Sequence, residues 1–172
     1  MRILLISLVS LVAICSAQQS GPDVAAQRAA MQKLKFLVGK WSGAASVARG
    51  PGAPMKITQT EEVQFKIDGL VMLVEGTGRT PAGEIVFRAL ATISYDDSTG
   101  KYHFRAYNDG RYLDTELTVT DKGFSWGYEA GPLKVANTMR LTDRGEWAES
   151  TETTFGSSPP RKSVEMLLRR LP

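Results

Sequence analysis

The stretch MKITQTEEVQFKI, residues 55–67, decides the fold. Every even-numbered residue in it is polar, whereas the odd-numbered residues are apolar apart from Gln59 and Glu61. Successive side chains of a β-strand point to opposite faces, so this alternation predicts a strand with one face in solvent and the other against a core. The stretch therefore predicts one strand of a sheet that covers a core on one side.

Turn residues interrupt the chain from Trp41 onward about every 8–12 residues, a spacing typical of all-β sandwiches and barrels. Nine breaks separate ten predicted strands, and most connections are too short for anything except hairpins. Consecutive hairpins build an up-and-down antiparallel sheet, and closure into one barrel removes its exposed edges. We therefore predict an all-β protein with a single barrel of about ten strands. The breaks lie at residues 49–52, 68–69, 81–83, 97–100, 109–110, 121–123, 131–132, 143–145 and 156–160.

One short helix is expected before the strands. Residues 20–23, SGPD, combine a capping serine, a proline near the first turn and an acid at the positive end of the helix dipole. Met31, Leu34 and Val38 follow at helical spacing, and Gly39 is a natural terminator.

The beginning of the chain has the pattern of a secretory signal. Arg2 precedes a run from Ile3 to Ile14 that is apolar except for two serines, and Cys15-Ser16-Ala17 then offers a cleavage site. The run is shorter than the roughly 20 residues that span a bilayer. Bulky Ile14 disfavours lipidation at Cys15, so we predict cleavage near Ala17 and export to the periplasm or the medium. The predicted domains are a signal peptide (1–17), an N-terminal extension with the helix (18–38) and a barrel without a membrane span (39–172).

Composition and charge exclude several classes of protein. The 172 residues are 42% hydrophobic and 23% charged, which is too apolar for a disordered chain. The single cysteine rules out a disulfide framework and a zinc cluster. Loss of Arg2 with the signal lowers the formal net charge from +3 to +2. A net charge of this size is too small for a nucleic-acid-binding surface.

A second inward row suggests space inside the barrel. Its two central alanines, Ala89 and Ala91, would leave room for a cavity beside Phe87. Gln59 and Glu61 would face the same interior, where a carboxylate needs an arginine, a water or a ligand as partner. The alternative, which we slightly favour, is that the strand bends and leaves Glu61 near the barrel mouth. The complete row is Ile85, Phe87, Ala89, Ala91, Ile93 and Tyr95.

Residues 101–119 are expected to form a hairpin whose faces are ambiguous. A two-residue turn pairs Arg105 with Asp114 and His103 with Glu116, which places opposite charges together on one face. We favour this charged face as the exterior of the barrel.

A bulge at Gly100 would reverse those faces. His103, Arg105 and Tyr107 would then point into the pocket, and Arg105 could meet Glu61. These three residues therefore join Gln59, Glu61, Phe87, Ala89 and Ala91 as pocket candidates.

Two short motifs resemble those of a known class of barrels. Gly39-Lys40-Trp41 lies between the helix and the first strand, and Arg169-Arg170 ends the last strand. This pattern resembles the Gly-x-Trp opening and the terminal arginine of lipocalin-like (calycin) barrels. The resemblance implies a barrel floor in which Gly39 precedes Trp41, the indole closes the barrel, and Arg170 packs over its ring.

Two longer segments are also similar to a bacterial secreted family catalogued as a domain of unknown function. They are EEVQFKIDGLVMLVEGTGR (61–79) and ISYDDSTGKYHFRAYNDG (93–110). That family is lipocalin-like and distantly related to nitrobindins, and the resemblance covers about residues 34–171. It implies a barrel without an established activity. Nitrobindin-like haem sites use an axial histidine late in the barrel, but this chain has only His103, in a middle strand. We therefore predict no haem, no other cofactor and no metal.

Other polar groups are interpreted structurally. Gly76-Thr77-Gly78 is expected to be a bulge or a point where strands approach closely. Glu146, Glu149 and Glu152 are assigned to a polar strand that skirts the surface. No serine lies in a nucleophile-elbow sequence, so no catalytic residue is predicted.

The function that these features favour is an exported barrel that binds a small apolar or amphipathic molecule in its interior. One alternative is an enzyme that performs acid–base or isomerase chemistry with inward carboxylate, arginine and tyrosine groups. Another is a packed barrel whose surface binds an envelope protein. A solid interior would support the packed barrel, whereas a pocket with an unpaired carboxyl of shifted pKa would support the enzyme.

We predict that the exported protein begins at Gln18, because the apolar run and the Cys-Ser-Ala ending define a cleavage site after Ala17. N-terminal sequencing of exported material checks this. A chain that starts at Met1, or at a lipidated Cys15, would contradict it.

Overall fold

The computed structural model describes residues 21–48, 50 and 52–172, and the predicted signal peptide lies outside them. A helix, α1 (Val24–Gln32), and a 3₁₀ turn (Lys35–Leu37) precede ten strands. Each strand pairs with its neighbours in the chain, and β1 pairs with β10, so the sheet is a closed antiparallel barrel. The predicted fold class is confirmed. The strands are β1 (Gly39–Val47), β2 (Met55–Lys66), β3 (Val71–Arg79), β4 (Ile85–Asp96), β5 (Lys101–Asn108), β6 (Arg111–Thr120), β7 (Gly123–Ala130), β8 (Leu133–Leu141), β9 (Trp147–Phe155) and β10 (Arg161–Arg170).

The predicted alternation of β2 is present in the structure. Ile57, Gln59, Glu61 and Val63 are buried, and the residues between them are exposed. The pairing of β2 with β1 and with β3 runs without a shift. The favoured expectation that this strand bends and leaves Glu61 near the mouth is therefore wrong, because a regular strand keeps every second side chain inside.

Helix α1 closes one end of the barrel. Asp23 caps it, its Oδ1 accepting from the backbone N–H of Ala26 at 2.9 Å, and the hydroxyl of Tyr102 donates to the carbonyl of Ala30 at 2.8 Å. The helix ends at Gln32 rather than continuing to Val38, because the chain tightens into the 3₁₀ turn before β1. Among the described residues, no helix is long and apolar enough to cross a membrane.

Trp41 lies at the centre of this closed end. Its side chain is 1% exposed, and its Nε1 donates to the carbonyl of Leu37 at 2.7 Å. Its ring meets Trp147 edge to face, with the centroids 5.6 Å apart. Met31 and Leu34 are completely buried against this cluster. The indole therefore plugs the barrel, as the resemblance implied.

Arg170 completes the floor. Its guanidinium carbon lies 4.1 Å from the centroid of the Trp41 ring, and the guanidinium donates to the carbonyls of Val38 and Phe36. Gly39 has a φ of +130°, and a Cβ there would lie 2.6 Å from Arg170 Nη1. Only glycine fits this backbone and this space. Gly39, Trp41 and Arg170, the residues predicted for the floor, therefore lie together at this end of the barrel.

We expect Trp41→Ala to lower the free energy of unfolding by about 3–5 kcal/mol, because deletion of a large buried aromatic leaves a cavity. Tyr112→Ala is the matched control, since Tyr112 is 72% exposed and its loss should change stability by about 0.5 kcal/mol or less. Urea unfolding of both variants measures the effect. A loss below about 1 kcal/mol for Trp41→Ala would contradict the plug role.

Candidate functional site

Above the floor the barrel encloses a cavity of about 240 Å³. Its wall is mainly apolar and aromatic, and Glu61, Glu149 and Asn108 also border it. A cavity of about 150 Å³ takes up benzene, so this one has room for about ten non-hydrogen atoms. The wall residues on which the arguments below depend are Phe87, Ala89, Ala91, Phe104, Trp126 and Trp147.

The structure brings most of the pocket candidates together. Glu61, Phe87, Ala89 and Ala91 border the cavity. Gln59 is buried beside it, and its Nε2 donates to Glu61 Oε1 at 2.8 Å. The polar interruption of one inward row and the small residues of another therefore lie in a single site.

Two inward glycines of β3 make room for these polar side chains. A Cβ at Gly76 would lie 2.9 Å from both carboxyl oxygens of Glu61, and a Cβ at Gly78 would lie 2.8 Å from Gln59 Oε1. The pairing with β2 is continuous across both glycines, and the pairing with β4 shifts only after Gly78. The Gly-Thr-Gly segment therefore makes room for the side chains of Gln59 and Glu61. The expected irregularity lies at its end, where the pairing with β4 shifts.

Glu149 supplies a second carboxyl group, which sequence reasoning missed. Its Oε2 accepts from Trp147 Nε1 at 2.7 Å, and its Oε1 accepts from Asn137 Nδ2 at 2.8 Å. The assignment of Glu149 to the surface is wrong, because Trp147 is buried and every second residue of β9 faces inward with it. The one signal in the sequence was the spacing of two residues between Trp147 and Glu149, which places both on one face without saying which face that is. Glu146, the residue before β9, is also buried rather than at the surface, and it forms ion pairs with Arg144 and Arg169.

The cavity shifts the pKa of both carboxyl groups upward. The pKa of Glu61 is raised to about 8: burial is the main cause, the hydrogen bond from Gln59 opposes it, and the nearby Glu149 adds a smaller increase. Burial likewise raises the pKa of Glu149, while the hydrogen bonds from Asn137 and Trp147 oppose it. Glu149 is half-buried, and it borders the cavity. Glu61 is therefore mainly protonated at neutral pH.

Three pocket candidates lie on the outer face of β5, and the interpretation that placed them inside is wrong. His103, Arg105 and Tyr107 are exposed, whereas Phe104 between them is buried. Gly100 ends a four-residue turn without adding a residue to β5, so no bulge reverses the faces. The favoured exterior interpretation is confirmed.

The outer charges pair as that interpretation expects. Arg105 forms an ion pair with Asp114, which its register predicted, so it cannot meet Glu61. His103 Nε2 lies 4.0 Å from Asp96 on the outside. His103 is the only histidine in the sequence, so the barrel interior offers no imidazole to a haem. Within the described ranges, no three His, Cys, Asp or Glu side chains are grouped to hold a metal ion.

The closed ten-strand barrel, the plugged floor and the internal cavity define a lipocalin-like β-barrel protein. The chain belongs to the family described as "Protein of unknown function (DUF1579)", whose model matches residues 26–121. Its fold is similar to the crystal structure of Rv2717c from M. tuberculosis, with a TM-score of 0.63 and 14% identity, covering 83% of this chain and 98% of that one. No curated protein matches the sequence.

We expect the free energy of unfolding to fall as pH rises from 5 to 8. Glu61 has a folded-state pKa of about 8 against an ordinary 4.5, so in this window the folded protein binds more protons than the unfolded chain. The stabilising effect of the protonated group is complete below pH 4.5 and is lost through pH 8, at no more than about 1.4 kcal/mol per pH unit.

Urea unfolding at pH 5, 6, 7 and 8 measures this slope. Glu61→Gln should flatten it, because the amide does not titrate, while the raised pKa of Glu149 leaves a remainder of the same sign. Glu62→Gln is the matched control, since Glu62 lies on the outer face of the same strand beside Lys40. Equal slopes in wild type and Glu61→Gln would show that Glu61 is not shifted.

Proposed function

We propose that this protein is an exported binding protein that holds a small amphipathic molecule inside its barrel. The observation that carries the proposal is the cavity of about 240 Å³, which combines an aromatic wall with carboxyl groups. Pockets for small molecules are mainly apolar and contain a few placed polar groups that orient the ligand. The composition of this cavity follows that pattern.

The wall and the polar groups would have separate roles in binding. Phe87, Phe104 and Trp126 offer ring surfaces, and burial of an apolar ligand against them is favourable by about 25 cal/mol per Å². Glu61 and Glu149 would orient the polar end of the ligand. A protonated carboxyl donates one hydrogen bond and an ionised one only accepts, so their protonation state selects the ligand.

The ligand would enter opposite the floor, where the hairpin turns surround the mouth. These turns include residues 109–110 and 131–132, and they lie at the ends of the strands farthest from Trp41. The floor is closed by α1 and by the indole. A packed barrel that acts only through its surface is disfavoured, because such a barrel would fill its interior.

A second candidate function, general acid–base catalysis, is favoured by one observation: Glu61 has a pKa of about 8 in an apolar cavity. Carboxyl groups of raised pKa in such surroundings exchange protons with substrates near neutral pH. The test is deuterium exchange at the carbon next to the carbonyl of phenylacetone in D₂O, followed by NMR. Exchange that disappears in Glu61→Gln and persists in Glu62→Gln would establish catalysis.

We expect Ala91→Phe and Ala89→Phe to weaken binding of indole by roughly tenfold or more, because each new ring fills part of the cavity. Isothermal titration calorimetry measures the affinity, and circular dichroism checks the fold. Leu90→Phe is the matched control, since Leu90 lies between the two alanines on the outer face. Equal indole affinity in all four proteins would show that this cavity is not the binding site.

A further inference from the structure

We propose that the ligand of this cavity is an organic amine, whose ammonium group binds at Glu61 and Glu149 while its apolar body lies against the aromatic wall. This assignment of a chemical class rests on the proposed function, because it concerns the same cavity. Four features of the interior carry it: the absence of a cation, the excess of hydrogen-bond acceptors, the aromatic faces, and the size.

The two carboxyl groups have no cationic partner within the described part of the chain. Neither Glu61 nor Glu149 takes part in an ion pair there. No lysine, arginine or histidine among the described residues borders the cavity. The donors that reach them, from Gln59, Asn137 and Trp147, are neutral amide and indole groups. Ionisation of either acid without a partner is costly in such a site, and a ligand cation would offset that cost.

The same region has more hydrogen-bond acceptors than donors. Asn137 is 2% exposed, and it lies on the inward face of β8, where its Nδ2 donates to Glu149 and Thr151. Its Oδ1 is buried and accepts from no group in the described residues. An ammonium group has three donors and no acceptor. It therefore complements the two carboxyl groups that border the cavity better than a hydroxyl does.

The aromatic wall also suits a cation. Phe104 and Trp126 are stacked with their centroids 5.3 Å apart, and Trp147 borders the cavity beside Glu149. Ring faces attract ammonium groups by about 0.5–2 kcal/mol, most strongly where water is excluded. A cavity of about 240 Å³ then fits one ring with a short aminoalkyl chain.

The cations of the inward faces lie at the two ends of the barrel. Arg170 is held in the floor by Trp41 and two backbone carbonyls, whereas Arg111 and Arg161 are exposed at the mouth beside Asn108 and Thr153. The other inward titratable groups are Tyr95, Tyr102 and Tyr128. Within residues 21–48, 50 and 52–172, Glu149 is the one charged group that shifts the pKa of Glu61. An anionic head group would therefore find its partners at the rim, not in the cavity.

The test compares 2-phenylethylamine with 2-phenylethanol, which share the ring and the chain length. Calorimetry at pH 7 should show that wild type binds the amine at least about tenfold more tightly than the alcohol, as expected for a charge-assisted contact. Glu61→Gln and Glu149→Gln should each reduce that ratio towards one, while the alcohol affinity stays within about threefold of wild type. Glu62→Gln should leave the ratio unchanged.

A pH series adds a second readout on wild type alone. Amine affinity should rise between pH 6 and pH 8, because the ammonium group binds the ionised form of a carboxyl whose pKa is about 8 without ligand. Alcohol affinity should stay constant or fall over the same range.

The outcomes separate the two proposals. Equal or tighter binding of the alcohol by wild type, or an amine preference that survives both substitutions, overturns the amine assignment and leaves the binding function standing. Failure of the amine, the alcohol and indole to bind overturns both. The ratio of amine affinity to alcohol affinity in wild type needs no variant, so it tests the amine assignment even where a substitution prevents folding.

Discussion

The barrel closes where Arg170 of β10 lies over the indole of Trp41 in β1, its guanidinium carbon 4.1 Å from the ring centroid. The two residues are direct partners in the register that joins the last strand to the first. Because side chains alternate along every strand, this pairing sets the inward faces of β1 and β10, and the register of each further pair of strands extends the inward set around the closed barrel. The position of each cavity residue follows from these registers together.

The cavity forms because some of the side chains that face inward are small. The 3₁₀ turn and the aromatic cluster fill the floor end, and there the interior is solid. Toward the mouth, Ala89, Ala91 and Ala106 border open space, and Gly76 has no side chain beside Glu61. Large residues at one end and small ones at the other give a barrel a plugged bottom and a hollow middle. The carboxyl groups lie in the hollow part.

The fold could be predicted from local patterns, whereas part of the site could not. The alternation in residues 55–67 and the regular turns depend on neighbouring residues only, and both are visible in one chain. The face of His103 depends on the register across Gly100, where a slip of one residue reverses it. Glu149 lies in a strand whose apolar and polar residues do not alternate, so its inward direction follows only from the burial of Trp147.

Stability alone does not account for Glu61 and Glu149. Replacement of buried ionisable groups by apolar side chains of similar volume is often neutral or stabilising, so a barrel selected only for stability would carry apolar residues there. Here β3 places Gly76 opposite Glu61. The glycine has no side chain to pack there, and this leaves room for the carboxyl group of Glu61, whose pKa is raised. Sites that keep such groups in apolar surroundings give up stability for binding or chemistry. The pair of carboxyl groups, more than the barrel itself, therefore distinguishes this interior from a packed core.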